Sequence, residues 1–231
     1  RLLAPAVRRS AARSFATVMS LSAILFLFLT HLGIGIAWTL VLVSRDAGVK
    51  FFRFNSGLAV TLLVIGLAFR PEATVLGGVA SGWGFVALVV ATGALLAYWA
   101  IIGRVLASLR PALLWVSLLA GAAAIVAQGA AVGSSLTVAP TAVAVASFLT
   151  SAALLGSSCT AMSLGHWYLV LPSLDIAPLQ GMVKFHIGSI IARVIVITAA
   201  VWIAIAGWEP GLGPSFQHYV LSSAGVFFWQ R

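Results

Sequence analysis

Four polar side chains within otherwise apolar runs are the residues of this sequence best suited to chemistry. They are His31, His166, His186 and Arg193. Imidazole is the usual protein ligand of haem iron; it can equally hold a chlorophyll magnesium or hydrogen-bond a quinone carbonyl. The pattern therefore predicts a cofactor site, with His31 and His186 as candidate iron ligands, haem b or quinone as the favoured cofactor and a chlorophyll-type pigment as a less favoured one.

His31 lies in a spacing that suits a flat cofactor. His31, Gly35 and Trp38 stand at i, i+4 and i+7, which places them on one face of a helix. A glycine one turn from a histidine leaves space for a macrocycle. The alternative is that His31 hydrogen-bonds to a hydroxyl or carbonyl of a neighbouring helix, as polar residues of membrane bundles do.

Arg193 is seven residues after His186 and shares its helix face. An arginine in hydrocarbon costs roughly 2.5 to 3.5 kcal/mol on insertion scales, so we expect it to have a partner. A haem propionate, a lipid phosphate or a carboxylate of another subunit would serve, and Asp175 is the one plausible partner within the chain. Snorkelling of the arginine to the membrane interface is the alternative.

The segment from Gly165 to Pro172 contains His166 and Tyr168, and Pro178 follows it. These prolines predict an interrupted or re-entrant connection over residues 165–183, which is tolerated at membrane depth only inside protein or a wet cavity. Such a connection could receive a quinone headgroup, with His166 and Tyr168 among the binding residues. The alternative is an ordinary belt of aromatic residues and histidines at the water boundary.

The elements that must position these residues are long apolar helices. The chain is 62% hydrophobic and 7% charged, whereas a soluble domain has about a quarter of its residues charged. The sequence thus predicts an all-α polytopic transmembrane helix bundle, folded as one integral membrane domain over residues 1–231. The expected spans are about Ala16 to Val43, Phe54 to Phe69, Trp83 to Gly103, Pro111 to Gly133, Pro140 to Gly165, a helix within Ala177 to Ala206, and one from Tyr219.

This pattern gives about seven spans, or eight if the termini are incomplete. The chain starts with Arg1 and is still apolar at Arg231, and we expect both ends to be incomplete. A haem held by both His31 and His186 requires the two at one depth, which needs the sixth helix to begin as early as Pro178.

Loop charges predict the orientation. Three connections on one side of the bundle contain six basic residues, whereas the opposite connections contain Arg70 alone, so by the positive-inside rule the first side is cytoplasmic. Arg8, Arg9 and Arg13 would then lie outside, unless an additional span or a surface helix precedes the first helix. Topology and lipid headgroups account for the net charge of +9, so nucleic acid is not an expected partner. The bias towards Ala, Val, Gly and Arg favours a bacterial inner membrane. The basic residues concerned are Arg45, Lys50, Arg53, Arg104, Arg110 and Lys184.

Several chemistries are excluded by what the sequence lacks. A single cysteine, Cys159, rules out an internal disulfide, and the chain has no Cys-x-x-Cys-His motif for a c-type haem. An iron–sulfur cluster is likewise not expected. No catalytic motif of soluble enzymes is present, which favours a non-catalytic or electron-transfer subunit over an independent enzyme.

One segment resembles known proteins. The run from Leu164 to Leu179, above all His166 to Val170 and the Pro172-x-Leu174 sequence, resembles a segment of uncharacterised multi-span bacterial inner-membrane proteins. The resemblance implies a membrane location but assigns no activity and no residue role.

Three functional hypotheses follow. The first is a membrane subunit of a respiratory or photosynthetic type of electron-transfer complex, which anchors redox partner subunits among the lipids and binds haem b or quinone. The second is a purely structural or assembly subunit whose histidines form bonds between helices. The third is a small-molecule or metal-ion transporter, which the near absence of intramembrane acidic residues makes the least favoured.

Overall fold

The computed structural model describes residues 21–70, 82–103, 107–133 and 138–206, and nearly all of them are helical. Six helices in this part of the chain are long and apolar enough to cross a membrane. The all-α prediction is confirmed there, whereas the expected seventh span from Tyr219 lies outside the described residues. The helices are α1 (Leu21–Thr39), α2 (Gly48–Ala68), α3 (Trp83–Ile101), α4 (Arg110–Gly133), α5 (Val138–Val170) and α6 (Ala177–Ala206).

Helix α1 forms the centre of the bundle. It packs against α2, α5 and α4, while α3 packs against α4 and α2. Its buried face includes Phe26, Ile34 and Ile36, each at most 2% exposed. The opposite faces of the surrounding helices expose large apolar side chains such as Leu119 and Ile195. This distribution suits a lipid environment, because outward apolar surface needs no water-facing polar cover there.

A short turn joins α1 and α2 at the basic end of the bundle, which is the end with Arg45, Lys50, Arg53 and Lys184. Ser44 accepts a hydrogen bond from the Asp46 amide at 3.3 Å and so caps a single 3₁₀ turn, Arg45–Ala47. Gly48 then begins α2 at a φ of 80°, a conformation that glycine adopts without steric cost. Helix α2 therefore starts six residues before the expected Phe54 and includes part of the basic loop.

The connection between α5 and α6 is shorter than the 165–183 segment predicted from the sequence. Helix α5 continues to Val170, because no breaker interrupts the run before Pro172. Residues 171–176 form the turn, and Pro178 lies in the first turn of α6, where its missing N–H leaves no bond unmade. Asp175 accepts a hydrogen bond from the Ala177 amide at 3.2 Å.

Helix α6 is peripheral. Among the described helices it packs against α5, and its buried residues are Met182 and Ser189. It is 30 residues long, or about 45 Å at 1.5 Å per residue, and so exceeds the roughly 30 Å hydrocarbon thickness. Arg193 lies near its midpoint, about 24 Å along the helix axis from Ala177.

Candidate functional site: polar contacts on the two sides of helix α5

Glycines bring α1 and α5 into backbone contact. The Cβ of an alanine at Gly35 would overlap the Ala152 carbonyl, and one at Gly156 would overlap the backbone of Gly35. The space beside His31 that the sequence suggested for a macrocycle is therefore occupied by the backbone of α5. Close approach of this kind is the usual role of small residues between membrane helices.

His31 is bonded within the core. It is 6% exposed, and its Nε2 donates to Oε1 of Gln128 on α4 at 3.2 Å. Its ring also contacts the ring of Phe148 on α5 edge-on, with the centroids 4.9 Å apart. His31 thus links three helices, and Nε2 already has a protein partner.

His186 lies on the other side of α5. Its Nδ1 is 2.9 Å from Oγ of Ser157, and Ser157 Oγ is also 3.0 Å from the Leu154 carbonyl. If Ser157 gives its one proton to that carbonyl, the histidine donates from Nδ1–H and Nε2 keeps a lone pair. Ser189 completes the group by donating to the His186 carbonyl at 2.7 Å.

Arg193 also binds α5. Its Nη1 donates to the carbonyl and the hydroxyl of Ser147 at 2.5 and 2.7 Å, and lies 3.5 Å from Oγ1 of Thr150. These acceptors are neutral. The remaining guanidinium donors form no hydrogen bond to the described part of the chain.

Asp175 does not reach Arg193. It lies in the turn ahead of α6, and Arg193 is about 24 Å along the helix axis from the first residue of α6, Ala177. The other acidic residue of the described segments, Asp46, accepts a hydrogen bond from Ser44 at 2.6 Å in the α1–α2 connection. Within those segments, no carboxylate is available to the Arg193 charge.

The structure does not bring His31 and His186 face to face. His31 contacts α5 at Phe148, and His186 contacts it at Ser157, nine residues further along. Nine residues correspond to about 13 Å along a helix axis. The two imidazoles therefore bond to different levels of α5 rather than to a shared central space.

His166 and Tyr168 belong to the last turns of α5, at the basic end. His166 is exposed, and the Tyr168 hydroxyl donates to the Asp175 carbonyl across the turn. Between them, Trp167 donates from Nε1 to the Ala47 carbonyl at 3.0 Å and contacts the Phe51 ring. Tyr168 thus links the two ends of the α5–α6 turn, whereas Trp167 attaches the end of α5 to the α1–α2 connection and the start of α2.

Sequence reasoning missed several of these partners. Gln128 and Ser157 were not paired with their histidines, and two further contacts between helices were not anticipated. These are the 2.6 Å bond between Thr39 and Thr160 and the 2.8 Å bond from Ser163 to Asn55. The presence of polar residues in apolar runs could have identified these residues as candidates for contacts between helices. The sequence does not show which of them bond to each other.

Comparison with protein-family models, curated proteins and solved structures found no match to this chain. Its functional assignment therefore depends on the site geometry.

Proposed function

We propose that this protein is a non-catalytic transmembrane subunit of a larger membrane assembly. In this proposal the edge formed by α5 and α6 binds a transmembrane segment of a partner that supplies a carboxylate to Arg193. The observation that supports it is the position of Arg193, midway along α6 and bonded to neutral oxygens of α5.

Energetics favour an anionic partner. The bonds to Ser147 and Thr150 satisfy some donors of Arg193 but leave its positive charge without a counterion in the described segments. Charges interact more strongly in a medium of low dielectric constant than in water. A carboxylate that reaches the guanidinium from a partner helix would both neutralise it and occupy its remaining donors.

The shape of α6 leaves room for such a helix. Gly181 and Gly188 are exposed, and a Cβ added to either would meet no atom within 4 Å. They are seven residues apart and so share a face, which lets a second backbone approach closely. This face lies roughly 120 to 140° around α6 from Arg193, so the partner's carboxylate would have to reach the guanidinium from the side of the α5 contact.

The proposed location is the bacterial inner membrane, with the basic end of the bundle in the cytoplasm. Exposed Arg45, Lys50, Arg53 and Lys184 lie at that end, as the positive-inside rule requires of cytoplasmic connections.

Gentle purification of the tagged full chain from its native membrane tests the partner. We expect a second membrane chain in fixed stoichiometry, with an Asp or Glu in one of its spans. Arg193→Gln should lower its recovery about tenfold, since a charge-assisted pair contributes on the order of 1.5 kcal/mol. Lys184→Gln, which removes an exposed charge from the same helix, should leave recovery unchanged.

Replacement of the partner's Asp or Glu by Asn or Gln should lower the recovery of the partner with this protein by about as much as Arg193→Gln does. A wild-type protein that is isolated without any other chain would contradict the proposal, as would undiminished recovery of the partner with Arg193→Gln.

A second candidate function, an electron-transfer subunit that binds haem b or quinone, is favoured by the orientation of His186. Its Nδ1 engages Ser157, while Nε2 has no hydrogen bond to a described residue. A bond at one ring nitrogen commonly fixes the other for a metal or an acceptor. Arg193, on the same face, could then bind a haem propionate.

A reduced-minus-oxidised visible spectrum of the purified protein, with extraction of bound quinone, tests this candidate. The haem or quinone signal should disappear with His186→Gln and persist with His166→Gln, because His166 is exposed at the helix end. A preparation with neither signal would rule the candidate out and leave the proposed partner binding untouched.

A further inference from the structure

A cavity lies at the basic end of the bundle, and no residue of α5 or α6 lines it. A cavity of about 490 Å³ opens between the end of α1, the start of α2, the end of α3 and the start of α4. Ligand sites commonly have volumes of about 300 to 1,000 Å³. None of the histidines discussed above lines it.

The polar part of this cavity is cationic. Arg45, Arg110 and Tyr98 all line it, and Tyr98 is 6% exposed. Asp46, although adjacent to Arg45 in sequence, does not line the cavity and accepts a hydrogen bond from Ser44. Two arginines and a tyrosine in one lining can provide several donors to a phosphate, which arginine binds through paired N–H groups.

The rest of the cavity is apolar. Leu40, Phe52 and Leu114 line it, and Trp115, 54% exposed, is at its margin. Tryptophan is typical of the membrane interface, where one end of a ligand is in water and the other in hydrocarbon. The lining therefore suits an amphiphile with an anionic head and an apolar chain.

We propose that this cavity binds an anionic phospholipid of the leaflet at the basic end. Its phosphate would lie between Arg45 and Arg110 and accept a hydrogen bond from Tyr98, with the start of an acyl chain against Leu40 and Phe52. Basic pockets between transmembrane helices are a recognised mode of acidic-lipid recognition. A neutral quinone would offer the guanidinium groups no charge. The proposal does not depend on a partner at Arg193.

Lipid retention by the full chain tests it. The protein is exposed to detergent micelles that contain equal amounts of phosphatidylglycerol and phosphatidylcholine, and the bound lipid is counted by native mass spectrometry. We expect wild type to retain phosphatidylglycerol selectively. The double variant Arg45→Gln, Arg110→Gln should retain it at least about tenfold less, and Tyr98→Phe about fivefold less, since a single hydrogen bond contributes on the order of 1 kcal/mol.

Arg53→Gln is the matched control. Arg53 is at the same end and has the same charge, but its guanidinium lies 5.5 Å from the Trp99 ring centre and does not line the cavity. Its removal should leave retention within about twofold of wild type, a change of roughly 0.4 kcal/mol. Equal losses with Arg53→Gln and with the double variant would mean that bulk surface charge attracts the lipid, and would overturn the proposal.

Two further outcomes are decisive. Unselective retention of both lipids by wild type would overturn the anionic site. Displacement of the phosphatidylglycerol by millimolar inorganic phosphate would assign the cavity to a soluble phosphate-bearing ligand instead of a lipid. Tyr98→Phe removes one oxygen atom, so its result remains interpretable if the double variant fails to fold.

Discussion

When Gly156 is replaced by alanine, we expect a large fraction of the protein to unfold or to fail to assemble. A methyl group at this position overlaps the backbone of Gly35, and neither helix can remove the overlap by a side-chain rotation. The helices must separate, which would disturb the nearby packing of Phe148 on His31. Overpacking typically costs about 1 to 3 kcal/mol and more where the backbone must move. We expect a cost at or above the upper end of that range.

The reciprocal substitution Gly35→Ala should behave in the same way, because its Cβ overlaps the Ala152 carbonyl. Reversible unfolding in detergent, followed by circular dichroism and by the monodisperse fraction in size-exclusion chromatography, measures both. Gly165→Ala is the matched control on α5, because its new Cβ would meet no atom within 4 Å. In a helix interior, that change should be neutral or stabilising by up to about 1 kcal/mol.

If Gly156→Ala were as stable as Gly165→Ala, α1 and α5 could not be in backbone contact. There would then be space beside His31 for the macrocycle that the i, i+4 spacing of His31 and Gly35 suggested. The stability of this one variant thus decides between a packing role and a cofactor-binding role for the glycine.

The contrast between these interpretations of Gly35 shows where sequence reasoning reaches its limit. The helical fold follows from apolar run length and scarce charge, because the hydrocarbon thickness sets the length of a span and the cost of a charge in hydrocarbon limits the number of charged residues. The common face of His186 and Arg193 follows from helical periodicity. A glycine such as Gly35, by contrast, indicates only that another group packs close to the helix backbone. That group can be a cofactor or a neighbouring helix, and the sequence does not distinguish the two.

The partners of the polar residues were unpredictable for a related reason. His31 and Gln128 are 97 positions apart in the chain, so local periodicity says nothing about their contact. Several hydroxyls and amides in other helices could have satisfied the same imidazole nitrogen. Helix packing selects one of them, and packing depends on the whole set of side-chain shapes rather than on any motif.

The second large effect concerns His31 and Gln128 together. His31→Leu should destabilise the bundle by about 1 to 2 kcal/mol, because the Gln128 amide, 2% exposed, would lose its partner in a dry core. Gln128→Leu should cost a similar amount by leaving the imidazole without its acceptor. The double variant should be less destabilised than the sum of the two, since an apolar pair leaves neither group unsatisfied.

Equilibrium unfolding of the four proteins gives the coupling free energy, which we expect to be about 0.6 to 1.7 kcal/mol, the range for bonds between membrane helices. Asn55→Leu provides a comparison: Asn55 bonds to Ser163 and to the Phe51 carbonyl and shares no hydrogen-bond partner with His31, so this change should show no coupling to His31→Leu. Additive costs for His31 and Gln128 would show that their bond is not formed. Nε2 of His31 would then be available to a ligand, and the redox spectrum of the His31→Leu variant would become the deciding measurement. A positive coupling, together with a spectrum that is independent of His31, would instead make this histidine a link between α1 and α4.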